Sequence, residues 1–176
     1  MLTFRNLSRE EIAQVWSIDR SEVIDKIYHL ENGSLVLRSE HHDVQGWPPS
    51  EAELYGPMLF ECFDRGGWCY GQFDDERLVG VAILDSRFIG PRHDQLQLKF
   101  LHVSNAYRGR GIGRQLFELA KATARKKGAR QLYVSATPSE NTINFYLRSG
   151  CRVTAQPDPQ LFALEPEDIH LECDVE

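Results

Sequence analysis

Three glycines alternate with Arg and Ile in Arg108-Gly109-Arg110-Gly111-Ile112-Gly113, and Arg114 follows at once. Glycine has no Cβ, so such a run lets the backbone approach a ligand closely. A helix opening there directs its first free N–H groups and the positive end of its dipole at the same point. That geometry suits an anion, a diphosphate above all. A Walker loop would need Gly-Lys-Ser/Thr, and a dinucleotide fingerprint would put its third glycine where Arg114 stands, so neither motif fits. Taken alone, the hexapeptide is also compatible with a tight strand-to-helix turn that binds nothing.

A second chemical element is Asn141-Thr142-Ile143-Asn144-Phe145-Tyr146-Leu147-Arg148-Ser149-Gly150. A tyrosine with its ordinary pKa near 10 keeps its proton at neutral pH and can deliver it locally. The plainer reading of Tyr146 is a core residue at helical spacing from Thr142 and Gly150. Between Asn105 and Arg130 lie eight of the twenty basic residues against one acid, Glu118, in a chain of net charge −6. The Lys121 to Arg130 part reads equally well as a solvated helix face. The acidic total argues against a nucleic-acid partner, which would require a basic surface.

Arg108, Gly111 and Gly113 match the pattern Arg/Gln-x-x-Gly-x-Gly/Ala, with an aliphatic strand before it and an amphipathic helix after it. With the Asn141 to Gly150 stretch in the next strand-helix unit, the span from Gln95 to Val153 resembles the GNAT superfamily of acetyl-CoA-dependent N-acetyltransferases. The N-terminal third carries no motif of that family. The resemblance implies acetyl-CoA as co-substrate, no metal, and direct transfer of the acetyl group to a primary amine acceptor, a cationic one included. It further implies that backbone groups of Leu101, His102 and Val103 pair with pantetheine as an added strand would. The N–H groups from Arg108 through Gly109, Arg110, Gly111, Ile112 and Gly113 to Arg114 would hold the pyrophosphate, with charge from an arginine side chain, Arg108 first among them. Asn141 matches a position that touches the cofactor, although an early helical Asn can instead satisfy local backbone. Tyr146 matches the tyrosine that protonates the departing thiolate.

One position departs from the pattern. The carboxylate that many members use as base lies fourteen residues before the middle glycine, which here is Gln97. A glutamine cannot take the amine's proton, leaving a water relay, an acceptor that arrives neutral, or another residue such as His93, Asp94 or His102. Strand alternation turns His102 to the face opposite Leu101 and Val103, where a packed histidine is the plainer reading. A non-enzymatic acyl-CoA-binding module of the same fold is the alternative function. Asp19, Glu22 and Asp25 could draw a cationic amine, and Trp47 and Trp68 could line its pocket, although a solvated acidic face and core packing explain them too.

The elements that must position these residues fit one domain spanning 1–176, with 41% hydrophobic and 26% charged residues. The longest apolar stretch, Leu78 to Leu84, is far too short to span a membrane, and the N-terminus lacks a secretory pattern, so a cytoplasmic location is expected by default. Cys62, Cys69, Cys151 and Cys173 are scattered and read as reduced structural thiols. Homodimerisation is an expectation at the level of the family only. Capping boxes at Ser8/Glu11 and Ser50/Glu53 predict helices, the first to about Asp19 on Ile12, Val15 and Trp16, the second on Leu54, Met58, Leu59 and Phe63. Between them only Ser34 to Arg38 reads as a short strand. Antiparallel strands are expected at Trp68 to Phe73, Leu78 to Asp85 and Leu96 to Val103. A helix from Gly111 to Gly128, a strand at Gln131 to Ser135 and a helix with Thr137 as N-cap and Pro138 in its first turn follow. Two last strands, Cys151 to Thr154 and Ile169 to Val175, complete a single-domain α/β fold of the GNAT type, a mixed, mostly antiparallel central sheet flanked by helices.

Overall fold

Strands rich in aromatic and branched residues form a seven-stranded sheet in the computed structural model, which describes residues 1–176. β4 (Trp68–Asp74), β5 (Arg77–Ile89) and β6 (Gln95–Val103) run antiparallel, and β1 (Leu2–Asn6) joins the outer side of β4. β7 (Gln131–Ala136), β9 (Ile169–Asp174) and β8 (Cys151–Val153) complete the order β1-β4-β5-β6-β7-β9-β8. Only β6 and β7 are parallel, as the crossover helix between them requires. Successive residues of β5 feed opposite faces: Ala82 and Leu84 pack with α2 (Ile112–Lys126) and α3 (Glu140–Arg148), and Val81 and Ile83 pack with the 3-10 helix Glu10–Ser17 and α1 (Glu51–Asp64). This is the expected mixed, mostly antiparallel GNAT-like sheet.

α2 buries Ile112, Leu116, Phe117, Ala120 and Ala124 at helical intervals, with Gly111 before its first turn and Gly128 (φ 94°) after its last. Phe117 belongs to this stripe, and removing its fully buried ring would cost about 3–5 kcal/mol.

Several local expectations are corrected. The first helix is a 3-10 helix that stops at Ser17, and Ser8 caps nothing with its side chain. Only the return half of its box forms: Ser8 N–H donates to Glu11 Oε2 at 2.8 Å. Glu11 also takes both Arg5 guanidinium nitrogens, and that ion pair pulls its carboxyl down to about 2. Ser50, at φ 68°, makes no capping bond to α1. α1 buries Gly56, Leu59 and Cys62 and leaves Leu54 in solvent, so its apolar stripe is rotated from the expected one. α3 begins at Glu140 with Ser139 as its cap, because β2 (Glu22–Glu31) holds the preceding residues extended: Tyr28 N–H donates to the Pro138 carbonyl at 2.8 Å and Ile27 bridges Ser139.

β2 and β3 (Ser34–Val44) form a separate antiparallel hairpin through a segment where only a short strand was expected. Asn32 (φ 51°) and Gly33 (φ 80°) make its two-residue turn, both left-handed as such hairpins demand. Cys151 and Cys173 sit directly opposite each other on β8 and β9 and are disulfide-bonded, unlike the reduced pair expected. Cys62 and Cys69 are free and buried, and burial raises their thiols to about 11 and about 12.

Candidate active site

β6 and β7 pair only at Gln95, Leu96 and Gln97 against Gln131, Leu132 and Tyr133. Beyond that point the two strands diverge. β6 stays bonded to β5 as far as Val103 opposite Gly80, while β7 stays bonded to β9 as far as Ala136 opposite Ile169. The side of β6 facing β7 is therefore left without a strand partner from Leu98 to Val103, where only the Val103 carbonyl is taken, by Arg108, and a cavity of about 910 Å³ opens between the strands. Leu101, His102 and Val103 all line it.

The start of α2 closes one end. Gly109 (φ 74°) and Gly111 (φ 81°) take backbone conformations that a side chain would strain, and the space a Cβ would enter is open at both. No side chain caps α2, so the N–H groups of its first turn remain available to an anion. Gly109, Gly111, Ile112, Gly113 and Arg114 line the cavity here, and a Cβ added at Gly113 would meet Phe145 and Val103 at 3.8 Å. The arginines divide. Arg108, expected first as a charge for the phosphates, spends its guanidinium on backbone carbonyls of Val103 (3.0 Å), Ser21 (3.3 Å) and Asp19 (3.5 Å), clamping the turn to the ends of β6 and β2. Arg110 lies over the Tyr107 ring at 5.2 Å, away from the cavity wall. Arg114 also lines the cavity, and unlike Arg108 its guanidinium has no hydrogen-bond or ion-pair partner in the protein.

α3 supplies the middle of the wall. Tyr146 is 6% exposed and packs edge-on against Phe117 (5.8 Å) and Phe145 (5.2 Å). No protein group bonds its hydroxyl, and burial alone raises its pKa above the ordinary value, so the phenol holds its proton at neutral pH. Asn141 stands exposed at the rim in the first turn of α3, whose cap is Ser139.

Gln97 is buried, and its Oε1 accepts from Lys99 Nζ at 3.1 Å. Of its expected substitutes, His93 and Asp94 lie in the turn before β6, at the end remote from Val103, where the Asp94 carbonyl accepts from Arg130 and Gln131 N–H. His102 packs edge-on against Trp47 (4.8 Å) and against Phe100 (5.3 Å). Burial, with Arg20 and Arg108 nearby, lowers it to about 3, so it stays neutral and is a poor base.

Residues that sequence reasoning missed converge at the other end of the cavity: Glu51 and Tyr55 of α1, and Glu165 and Asp168 of the loop between α4 (Pro159–Leu164) and β9. Glu51 pairs with Arg20 at 3.4 Å, and Arg20 also reaches Thr137 Oγ1 at 3.5 Å. Ser135 Oγ donates to Asp168 Oδ2 at 3.2 Å. Burial, and then the Asp168 carboxyl bonded to it, push Glu165 up to about 8; burial also raises Glu51. Of the acidic residues proposed for a cationic acceptor, Glu22 lines the cavity. Asp19 instead accepts from Ser21 N–H (2.9 Å), and Asp25 pairs with His41 (2.7 Å) on the hairpin. Trp47, whose Nε1 donates to the Ile18 carbonyl (3.0 Å), and Trp68, stacked on Tyr70 (5.1 Å), are packing residues outside the cavity wall.

No group of three or more His, Cys, Asp or Glu side chains is arranged to hold a metal ion, and no helix is long and apolar enough to cross a membrane. The acetyltransferase (GNAT) family model matches residues 24–151. Among curated proteins, no sequence matches. Solved structures of like fold include nourseothricin acetyltransferase, 18% identical with 99% of each chain covered and a TM-score of 0.71. The PaiA N-acetyltransferase of Thermoplasma acidophilum in complex with coenzyme A is 16% identical, with 99% of each chain covered and a TM-score of 0.64. A Bacillus anthracis acetyltransferase in complex with acetyl coenzyme A is 16% identical, with the same coverage and a TM-score of 0.67. At these identities the likeness is one of fold.

Proposed function

The chain belongs to the acetyltransferase (GNAT) family, and from that premise we propose that it transfers the acetyl group of acetyl-CoA to a primary amine by direct attack in a ternary complex. The observation that carries this reading is one cavity bounded by an unpaired strand edge, an uncapped helix start and a buried, unpartnered phenol. The amides of pantetheine suit the edge of β6 from Leu98 to Val103 as a further strand would. A diphosphate suits the first turn of α2, where Gly109 and Gly111 leave room and Arg114 adds charge. Fold relatives solved with coenzyme A and acetyl coenzyme A support the same donor.

In this reading Tyr146 is the general acid. Its hydroxyl keeps its proton until the C–S bond breaks, then gives it to the thiolate. Release of free thiol from acetyl-CoA across a panel of primary amines tests the activity. Tyr146→Phe should lower kcat about 100-fold while coenzyme A affinity stays near that of the parent. A Tyr146→Phe rate equal to the parent's across pH would remove this residue from the mechanism. The buried Gln97 at the carboxylate position favours a second reading, an acyl-CoA-binding module without turnover. Tight coenzyme A binding with no thiol release on any amine would select it.

A further inference from the structure

An alkyl amine has a pKa near 10 and reaches the cavity as an ammonium, so a proton must leave before its lone pair can attack. Gln97 cannot take that proton and does not line the cavity. Three carboxyls besides Glu22 do line it, and they are not equivalent. Glu51 is held by Arg20 and Asp168 by Ser135, whereas the Glu165 carboxyl makes no ion pair and stands near Asp168, Glu51 and the Tyr55 phenol. Its backbone is fixed on both sides: the Glu165 N–H donates to Leu161, and the Glu165 carbonyl lies 3.0 Å from His170 Nε2. Tyr146 is an independent mark of a ligand in the same cavity, a side chain more than nine-tenths buried whose hydroxyl has no protein partner.

Resting on the transferase reading, we propose that Glu165 is the general base, taking the proton of an acceptor that arrives as an alkylammonium, with Asp168 and Tyr55 as positioning residues. Glu165 and Asp168 stand on one loop and line the same cavity, so two acidic side chains converge where an ammonium would sit. Arg20 balances Glu51, and His102 is neutral. Neither Glu165 nor Asp168 has a cationic partner, so this end of the cavity attracts an ammonium.

The ammonium gives a proton to the Glu165 carboxylate. The freed lone pair forms the C–N bond at the thioester carbonyl carbon, and the C–S bond breaks with its electron pair leaving on sulfur. Tyr146 protonates that sulfur, and the surplus N–H proton of the new amide restores the phenol. Glu165 then releases its proton to solvent, so an ammonium and an acetyl thioester become an amide, a thiol and one proton.

The groups facing Glu165 are Asp168 on its own loop, Glu51 and Tyr55 on α1, and Arg20 through Glu51. Its raised value means that the charged, base-competent form fills as pH rises through about 8. With whichever of 1,5-diaminopentane, lysine or an alanine-initiated peptide the parent acetylates fastest, kcat/KM should climb through that pH. Glu165→Gln should lower kcat/KM by about 100-fold or more and flatten the profile, while acetyl-CoA affinity holds as the control for folding. Glu165→Asp, which keeps a carboxylate, should recover most of the lost rate. A Glu165→Gln enzyme with the parent's rate and pH profile, or one that loses acetyl-CoA affinity in step with rate, overturns the assignment of the base and leaves the transferase reading intact. A parent that releases no thiol from acetyl-CoA with these probes or with any amine of the wider panel removes the transferase reading, and the base with it.

Discussion

The two ends of the cavity are built by opposite means. The end proposed for the donor is backbone: an unpaired strand edge, glycines with positive φ and the free N–H groups of a helix start, all within one stretch from β6 to α3. The end proposed for the acceptor is side chains, Arg20 and Glu22, Glu51 and Tyr55, Glu165 and Asp168, brought together from segments distant in sequence. Backbone recognition constrains a few residue types in a fixed order and tolerates change elsewhere. Side-chain recognition can be rewritten one residue at a time, so this architecture allows one donor to be kept while acceptors change.

If that contrast holds, the largest single effect at the donor end should come from adding atoms to the backbone. Gly111→Val puts a branched side chain at φ 81° and into the open space beside the first turn of α2. The conformation alone costs roughly 1–2 kcal/mol of stability. Loss of about two charge-assisted bonds should weaken coenzyme A binding by 100-fold or more. Calorimetric titration with coenzyme A, beside a thermal melt, separates the two effects. Affinity equal to the parent's would mean that the turn does not hold the phosphates.

At the acceptor end, removing one charge should act on the acceptor alone. Glu51→Gln leaves Arg20 unbalanced and cancels the local negative charge that draws an ammonium. The acceptor KM should rise about tenfold, close to 1.4 kcal/mol, with the acetyl-CoA KM unchanged. A rise in both constants together would show that the two ends are not independent, and would break the comparison.

The same division explains what the sequence discloses. Arg108 to Gly113 and Asn141 to Gly150 are legible because a strand-turn-helix built for close backbone approach must spell itself in glycines at fixed spacing. The splay of β6 from β7 is not spelled anywhere; it appears only as pairing that stops at Gln97. Glu165 and Asp168 sit in a loop with no periodicity and look like any solvated acids until the fold brings them, half-buried, to the cavity wall that Tyr55 also lines. The β2–β3 hairpin escapes strand reading because most of it is exposed and lacks the alternation of a buried face, although Asn32-Gly33 is a strong hairpin signal. The cap at Ser139 in place of Thr137 depends on a bond from Tyr28, over a hundred residues away, which no local pattern contains. Cys151 and Cys173 pair across two strands joined by a Pro-rich loop, a juxtaposition set by register.

Asn141 gives the smallest and sharpest test of the contrast. It is the side chain at the donor end that the motif singles out, it stands at the cavity rim, and the cap of α3 belongs to Ser139. Asn141→Ala should therefore leave the melting temperature where it is. Its loss removes at most one neutral hydrogen bond, about 0.5–1 kcal/mol, so coenzyme A affinity should fall only two- to fivefold, to be read by the same titration. If backbone groups carry the donor, this effect must stay far below that of Gly111→Val. An Asn141→Ala loss approaching 100-fold would place the recognition of the donor in side chains after all, and the two ends of the cavity would then be built alike.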